Sequence, residues 1–220
     1  MTIFRDDGDR LTFVGDFDGH YARHSDPWDQ SGAFGPMASY YAASRARLAE
    51  ALTRHCRAGT VLEVGCGHGH VLPIIELALN FGDCHGLDIS AKAIETARVL
   101  YPQSSFFVGD ISSPASIAAL PLATGYQAVI LNQALWYVLE RMDATVANLH
   151  RLAAGGLVIV SQAFLRGPQR YGADIADGFH GAVAMFLSRY PQLRLIEAQY
   201  DDSDAHQHHD GLLVFRAVNP

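Results

Sequence analysis

The stretch from residue 60 to 70, TVLEVGCGHGH, constrains the fold more than any other part of this chain. The apolar, mostly β-branched residues Val61, Leu62 and Val64 predict a buried strand, and the amphipathic stretch from Val71 onwards predicts a helix. Glycines stand at every second position between them, at Gly65, Gly67 and Gly69. Glycine accepts left-handed dihedrals and lets a ligand approach the backbone, and a helix N-terminus favours polar or anionic groups. The stretch therefore predicts a ligand-binding strand, turn and helix in a doubly wound α/β sheet.

Composition narrows the classes of function. The 220 residues, 49% of them hydrophobic, suffice for one well-packed domain. The net charge of −7 argues against binding to nucleic acid, which requires a basic face. No apolar run reaches the ~18 residues that span a bilayer, and the charged stretch MTIFRDDGDR does not resemble a signal peptide. Three cysteines without C-x-x-C spacing predict free thiols in a reducing compartment, so we expect a cytoplasmic protein.

The residues around the glycines separate two classes of ligand. A dinucleotide fingerprint has its third glycine one place later, where this chain has His70, and an acid such as Glu63 would repel a pyrophosphate. Glu63 suits a ligand with a positive charge near the turn. An acid followed by G-x-G-x-G resembles the first motif of the class I S-adenosylmethionine-dependent methyltransferases. This resemblance implies S-adenosylmethionine as the cofactor and a Rossmann-like, mostly parallel seven-stranded sheet with an antiparallel last strand and helices on both faces.

Polar residues follow the later strands at the edge where ligands of open α/β sheets bind. Asp88 ends the second strand, where an acid can accept hydrogen bonds from both hydroxyls of a ribose. The resemblance implies that Asp110, after the third strand, contacts an adenine amino group and that Ile111 covers the ring. Asn132 and Gln133 follow the central strand. The predicted cofactor-binding residues are Trp28, Arg45, Glu63, Gly65, Cys66, Gly67, Gly69, Asp88, Ile89, Asp110, Ile111, Asn132 and Gln133.

The segment 21–48 resembles the N-terminal segment of NodS-like small-molecule methyltransferases. It contains Tyr21, a D-P-W turn with Trp28, and a helix, predicted over 36–57, that carries tyrosines and Arg45. We therefore expect a single methyltransferase domain in four parts. Residues 1–58 form an arm and helix that act as a lid, 59–165 the cofactor-binding core, 166–192 a substrate-covering insertion, and 193–220 the last two strands.

The acceptor is predicted to be a small molecule, such as a sugar, a glycan precursor or a secondary metabolite. Methyltransferases that act on nucleic-acid bases or glutamine amides share an Asn/Asp-Pro-Pro-aromatic motif after the central strand, but this chain has Asn132-Gln133-Ala134-Leu135-Trp136. We expect no nucleic-acid partner and no membrane, and the sequence is compatible with a homodimer. Two alternatives remain open, a non-catalytic S-adenosylmethionine-binding protein and, less favoured, an NAD-dependent oxidoreductase.

Methyl transfer needs mainly alignment, and a base is required only if the acceptor must lose a proton. His180, in the predicted insertion, is the first candidate for that base and Tyr137 the second. The acceptor is expected between His180, the Trp136-Tyr137 pair and the loop with His206, His208 and His209. The H-x-H-H pattern of that loop could bind a metal, but a solvated loop is preferred, so no metal is predicted.

Overall fold

A computed structural model describes residues 3–32, 35, 37–56, 59–79, 83–121 and 125–218 of the chain. The strands are β1 (Phe4–Asp6), β2 (Leu11–Phe13), β3 (Val61–Val64), β4 (Cys84–Asp88), β5 (Ser105–Val108), β6 (Ala128–Asn132), β7 (Leu157–Phe164), β8 (Leu193–Asp201) and β9 (His209–Ala217). The helices are α1 (Phe17–Arg23), α2 (Ala38–His55), α3 (Leu72–Leu79), α4 (Ala91–Leu100), α5 (Pro114–Ala118), α6 (Leu135–Val138), α7 (Met142–Ala153) and α8 (Gly178–Arg189), with a short 3₁₀ turn between α6 and α7.

Seven strands form one sheet in the order β5-β4-β3-β6-β7-β9-β8. The first five strands of this order run parallel, and β9 is antiparallel to both β7 and β8. The predicted fold class, a doubly wound parallel sheet with an antiparallel last strand, is confirmed. Because β3 lies between β4 and β6 in parallel register, the carboxyl ends of these three strands meet at one edge of the sheet.

Helices cover both faces of the sheet. On β6, Val129 and Leu131 face one apolar cluster, together with α5, α7 and α8. Ala128 and Ile130 face a second cluster, together with α2, α3 and α4. Burial on both faces explains why this strand is apolar without interruption, as is usual for parallel sheets.

The helices agree with the predicted ones to within a few residues. Helix α2 corresponds to the helix predicted over 36–57, of which residues 36 and 57 lie outside the described residues, and α3 corresponds to the helix predicted from Val71 onwards. The Ser90 hydroxyl accepts a hydrogen bond from the Ala93 amide at 3.1 Å, as expected of an N-cap. None of the described helices is both long and apolar enough to cross a membrane.

The N-terminal arm, residues 3–32, contains an antiparallel hairpin of β1 and β2 that the sequence did not predict. The Leu11 amide donates to the Arg170 carbonyl at 2.9 Å, and the Arg170 guanidinium bonds the Asp6 carboxylate at 2.5 Å. The arm is therefore joined to the segment that follows β7. That segment divides into a loop and helix α8, which buries Phe179 and Phe186 against the sheet.

Candidate active site

A cavity of about 340 Å³ opens at the carboxyl edge of β3, β4 and β6. Its walls come from the N-terminal arm, the strand ends, helix α6 and the loop around Arg170. Most of the lining is apolar or aromatic, with a few polar groups at the strand ends. A cavity of this size and composition is typical of small-molecule sites.

The glycine turn borders this cavity, with Gly65 in its lining. The backbone φ values of Gly65, Gly67 and Gly69 are 77°, 54° and 81°. Residues other than glycine rarely adopt such values. The Gly67 amide donates to Asp88 Oδ2 at 2.8 Å, so the acid at the end of β4 holds the turn in place. A Cβ at Gly67 would lie 2.7 Å from the Tyr21 hydroxyl of the arm. Glycine is therefore needed here for the approach of the arm as well as for the backbone conformation.

Asp88 lines the cavity and is only 7% exposed. Its second oxygen, Oδ1, accepts the Ser90 amide at 2.8 Å. Burial raises the pKa of this carboxyl to about 6, although the two amide hydrogen bonds oppose the rise. Each carboxylate oxygen has further lone pairs for a ligand's hydroxyl groups.

Glu63 is buried beside the turn, at the third position of β3. Asn132, the last residue of β6, donates from Nδ2 to Glu63 Oε1 at 2.7 Å. Glu63 Oε2 has no hydrogen-bond partner among the described residues. Burial raises the pKa of Glu63 to about 8. A buried acid that lacks a partner is costly, so this oxygen marks a place where a cationic ligand group would be stabilised.

Arg45 of helix α2 lies close enough to Glu63 for its charge to lower the pKa of that carboxyl. Its guanidinium donates to the Gln30 carbonyl and lies over the Tyr41 ring, 5.2 Å from the centroid. Its Nε is buried without a partner among the described residues. Arg45 and Asn132 line a small pocket behind the main cavity.

Asp110 and Ile111 line the cavity after β5, and the 43% exposed Ile89 lines it after β4. Asp110 Oδ1 accepts the Ser112 amide at 2.8 Å, and Arg141 donates to Oδ2 at 2.5 Å. Burial would raise the pKa of Asp110, but these hydrogen bonds outweigh it and lower the pKa. This carboxylate is therefore charged at neutral pH.

Gln133 joins the cavity to a buried polar network. It is one of two described residues other than glycine with positive φ, at 53°, a conformation that stores strain. Its Oε1 accepts a hydrogen bond from the Ala163 amide at 2.8 Å, and its Nε2 donates to the Tyr40 hydroxyl at 3.0 Å. Tyr40 in turn donates to Asp210 Oδ1 at 2.9 Å.

Asp210, at the start of β9, is 2% exposed and also accepts from Ser44 at 3.0 Å. Arg47 of α2 bonds this carboxylate with one guanidinium nitrogen and Asp201 with another, the latter at 2.9 Å. Arg47 therefore joins the last residue of β8 to the second residue of β9.

Tyr137 is the centre of an aromatic cluster over the cavity. Its ring centroid lies 5.2 Å from that of Phe17, 5.9 Å from those of Phe4 and Trp28, and 6.1 Å from that of Phe13. Burial raises the pKa of its hydroxyl above the ordinary value. All four neighbouring rings belong to the N-terminal arm, so the arm covers the cavity.

The histidines are arranged differently from what the sequence predicted. His180, the first candidate base, is exposed on α8 and does not line the cavity. His208, in the loop before β9, does line it. Burial lowers the pKa of His208 below 6.5, so its imidazole is neutral at pH 7. The structure thus brings a different histidine of the predicted set to the site.

The structure gathers most, but not all, of the predicted residues. Those that line the cavity are Trp28, Gly65, Asp88, Ile89, Asp110, Ile111, Gln133 and Tyr137. A second group does not line the cavity but lies next to the residues that do: Glu63, Arg45, Asn132 and Gly67. The side chain of Cys66 belongs to the core cluster of α3 and α4, and a Cβ at Gly69 would lie 2.6 Å from the Phe106 ring. The side of the turn formed by Cys66 and Gly69 therefore faces the core.

Sequence reasoning missed the lining contributed by Phe4, Leu11 and Phe17. The available signal is the density of aromatic residues in the first 30 positions, which includes Phe4 and Phe17 as well as Tyr21 and Trp28. The sequence of α8 also contains a signal that His180 is exposed. Phe179, Ala182 and Phe186 follow the helical period and are buried, which leaves His180 outside the apolar stripe.

A glycine turn after the first parallel strand, acids at neighbouring strand ends and an antiparallel last strand define the architecture of a class I methyltransferase. The chain belongs to the family described as a methyltransferase domain, whose model matches residues 37–209. The predicted class, a methyltransferase that uses S-adenosylmethionine, is confirmed. A search of curated proteins gave no match.

Solved structures show the same fold. The N-methyltransferase NodS from Bradyrhizobium japonicum WM9, in complex with S-adenosylhomocysteine, matches with 16% identity and a TM-score of 0.66 over 92% of this chain and 100% of that one. Magnesium protoporphyrin IX methyltransferase from Synechocystis PCC 6803, with bound S-adenosylmethionine, matches with 18% identity and a TM-score of 0.61 over 87% and 90%. The first is named for transfer to nitrogen and the second for magnesium protoporphyrin IX, so the shared fold does not identify the acceptor of this chain.

Proposed function

We propose that the protein transfers a methyl group from S-adenosylmethionine to an oxygen or nitrogen atom of a small-molecule acceptor. One observation carries the proposal. Two buried acids lie on the adjacent strands β3 and β4: Glu63, with one oxygen that has no partner among the described residues, and Asp88, bonded to the glycine turn. This arrangement suits a ligand with an ammonium group and a ribose diol.

In the cofactor half of the site, each charged residue has a complementary group on the ligand. Glu63 Oε2 would accept from the ammonium, and Arg45 would pair with the carboxylate of the same amino acid moiety. Asp88 would accept from the ribose hydroxyls. Asp110 would accept from the adenine amino group, with Ile89 and Ile111 against the ring.

S-adenosylmethionine supplies a methyl group on a positively charged sulfonium. The residues of this chain contribute by position and by electrostatics. The rings of Trp28, Tyr41 and Tyr137 line the cavity, and aromatic faces attract a desolvated cation. The arm that carries Trp28 would exclude water and hold the reacting atoms in line, which can account for several kcal/mol of the barrier.

In the acceptor half, Phe4, Leu11, Phe17 and Tyr171 offer apolar surface, with His208 at the wall. This lining favours an acceptor with a flat or apolar body, so among the predicted classes a secondary metabolite fits better than a free sugar. An unprotonated imidazole nitrogen of His208 would take the proton of a hydroxyl or ammonium acceptor. Tyr137 would orient the acceptor by ring contact.

The assignment of cofactor and acceptor residues gives each of the four parts of the chain a role. Residues 1–58 and the loop at the start of 166–192 would cover the core of 59–165, and 193–220 would complete the sheet and supply His208. Three buried free cysteines accord with a reducing compartment such as the cytoplasm.

The test is calorimetry followed by turnover. The protein should bind S-adenosylmethionine and S-adenosylhomocysteine but not NAD, and Asp88→Asn should weaken cofactor binding by ~1–3 kcal/mol, as expected when a hydrogen bond to a charged group is lost. A panel of phenolic, amine and sugar acceptors is then screened for release of S-adenosylhomocysteine. Binding without turnover on any class would favour the non-catalytic alternative, and binding of NAD alone would favour the oxidoreductase.

A further inference from the structure

Three side chains that commonly bind metals meet beside the glycine turn, outside the cavity. Asp26 comes from the N-terminal arm, while His68 and His70 come from the turn itself. Their candidate ligand atoms all lie within 4.8 Å of one another. His68 is 5% exposed and the other two are half-buried. None of the three lines the cavity assigned to cofactor and acceptor.

The hydrogen bonds around this cluster already orient two of the ligands. His70 Nδ1 lies 2.8 Å from the Tyr101 hydroxyl. With the proton on Nδ1 donated to Tyr101, the lone pair of Nε2 is available. Asp26 accepts the Gln30 amide at 2.8 Å and the Ser31 amide at 2.9 Å, which fixes the carboxylate. Metal-binding histidines and carboxylates usually have such supporting partners.

The electrostatics favour the unprotonated forms that a metal requires. Burial lowers the pKa of both His68 and His70, so both imidazoles are neutral at pH 7. Burial would raise the pKa of Asp26, but the Ser31 and Gln30 hydrogen bonds outweigh it, so this group is a carboxylate. The nearby Arg45 charge opposes a cation, although that guanidinium donates to the Gln30 carbonyl and lies over the Tyr41 ring.

We propose that Asp26, His68 and His70 bind a divalent first-row transition-metal ion, which fastens the N-terminal arm to the glycine turn. Two imidazoles and one carboxylate form a donor set that suits Zn²⁺, with a fourth position left for water. Since Tyr21 and Trp28 flank Asp26 in the arm, the ion would hold the cover of the cofactor site closed. The proposal is independent of the acceptor assigned above.

The experiment uses tag-free protein and Zn²⁺ alone, without cofactor. Equilibrium dialysis and calorimetry should find one Zn²⁺ per chain. Asp26→Asn and His70→Gln should each weaken binding at least about tenfold, and Tyr101→Phe, which removes a supporting partner, by about 10–100-fold. With Co²⁺ as a spectroscopic probe, the visible bands of a low-coordinate N/O site should appear in the parent and disappear in these variants.

His85→Gln is the matched control. His85 Nδ1 lies 3.0 Å from the Tyr126 hydroxyl, the same pairing as in His70, but outside the cluster. This variant should keep the parent affinity. Hydrogen exchange measured across 17–32 should slow on addition of Zn²⁺ in the parent and not in Asp26→Asn.

Three results would overturn the proposal. They are no Zn²⁺ binding by the parent, parent-like binding by folded Asp26→Asn and His70→Gln variants, and binding that leaves exchange in the arm unchanged. If the substitution at His70 prevents folding, Asp26→Asn decides the question, because Asp26 lies outside the turn and an amide keeps one of its hydrogen bonds.

Discussion

Glu63 is a buried carboxyl that is mostly protonated at neutral pH, because burial raises its pKa to about 8. An ammonium group bound at Oε2 would stabilise the carboxylate and lower that pKa, so binding at pH 7 should release a proton. Cofactor affinity should therefore rise with pH up to about 8, by at most about tenfold per unit, and level off above it. Calorimetry in buffers of different ionisation enthalpy measures the proton release. Glu63→Gln should lose both the release and the pH dependence between about pH 7 and 8.

A flat pH profile of affinity in the parent would mean that the ammonium does not lie at Glu63. Asp88, with a pKa of about 6, adds a separate rise at lower pH. This second rise should persist in Glu63→Gln, which makes Asp88 the internal control for the measurement.

His208 and His180 give a paired test of the acceptor half. His208→Asn should lower turnover by ~100-fold or more, the usual range for loss of a general base, while cofactor affinity stays within about twofold because His208 lies in the acceptor half of the site. His180→Ala should keep the parent rate, because that side chain is exposed on α8. Steady-state kinetics with a saturating acceptor measures both. A large loss of turnover in His180→Ala, with a parent-like rate in His208→Asn, would instead support His180 as the base.

At the scale of elements, the strand ends were predictable and the arm was not. Asp88, Asp110 and Asn132 each follow an apolar run, so their place at the binding edge follows from the sequence pattern. The hairpin of β1 and β2 has three-residue strands with no buried residue, so it carries no usable periodicity. Its position depends on tertiary contacts with Tyr137 and Arg170, which no local pattern encodes.

A carboxylate of helix α1 is hydrogen-bonded to the start of helix α4. Asp18 accepts from the Ser90 hydroxyl at 2.6 Å and from the Lys92 amide at 3.1 Å, at the N-terminus of α4. Asp18→Ala should therefore cost ~1 kcal/mol of unfolding free energy, the scale of a lost cap. It should also speed hydrogen exchange in α1, and urea denaturation with exchange mass spectrometry measures both effects.

Asp9→Asn, an exposed position of the same arm, should leave both quantities unchanged. Equal effects from the two substitutions would show that the arm responds to charge in general rather than to the contact with α4.

At the scale of the whole molecule, the sheet separates two apolar clusters that share β6. Leu131 and Ile130 are each fully buried on opposite faces. Leu131→Ala and Ile130→Ala should each cost ~2–5 kcal/mol within a single unfolding transition. Leu77→Ala is the control, since Leu77 is 86% exposed and should change stability by less than ~0.5 kcal/mol. Separate transitions in chemical denaturation would mean that the two faces fold independently.

The ion pairs of Arg47 with Asp201 and Asp210 bear on how the loop between β8 and β9 can change in sequence and length during evolution. The guanidinium holds the last residue of β8 and the second residue of β9 together, so the ends of the loop at 202–208, which carries His208, are fixed by a contact from outside the loop. Loop closure costs little extra for each added residue. The loop can therefore be exchanged, lengthened or shortened as a module, and new acceptor preferences can be grafted onto it while the cofactor half is left intact.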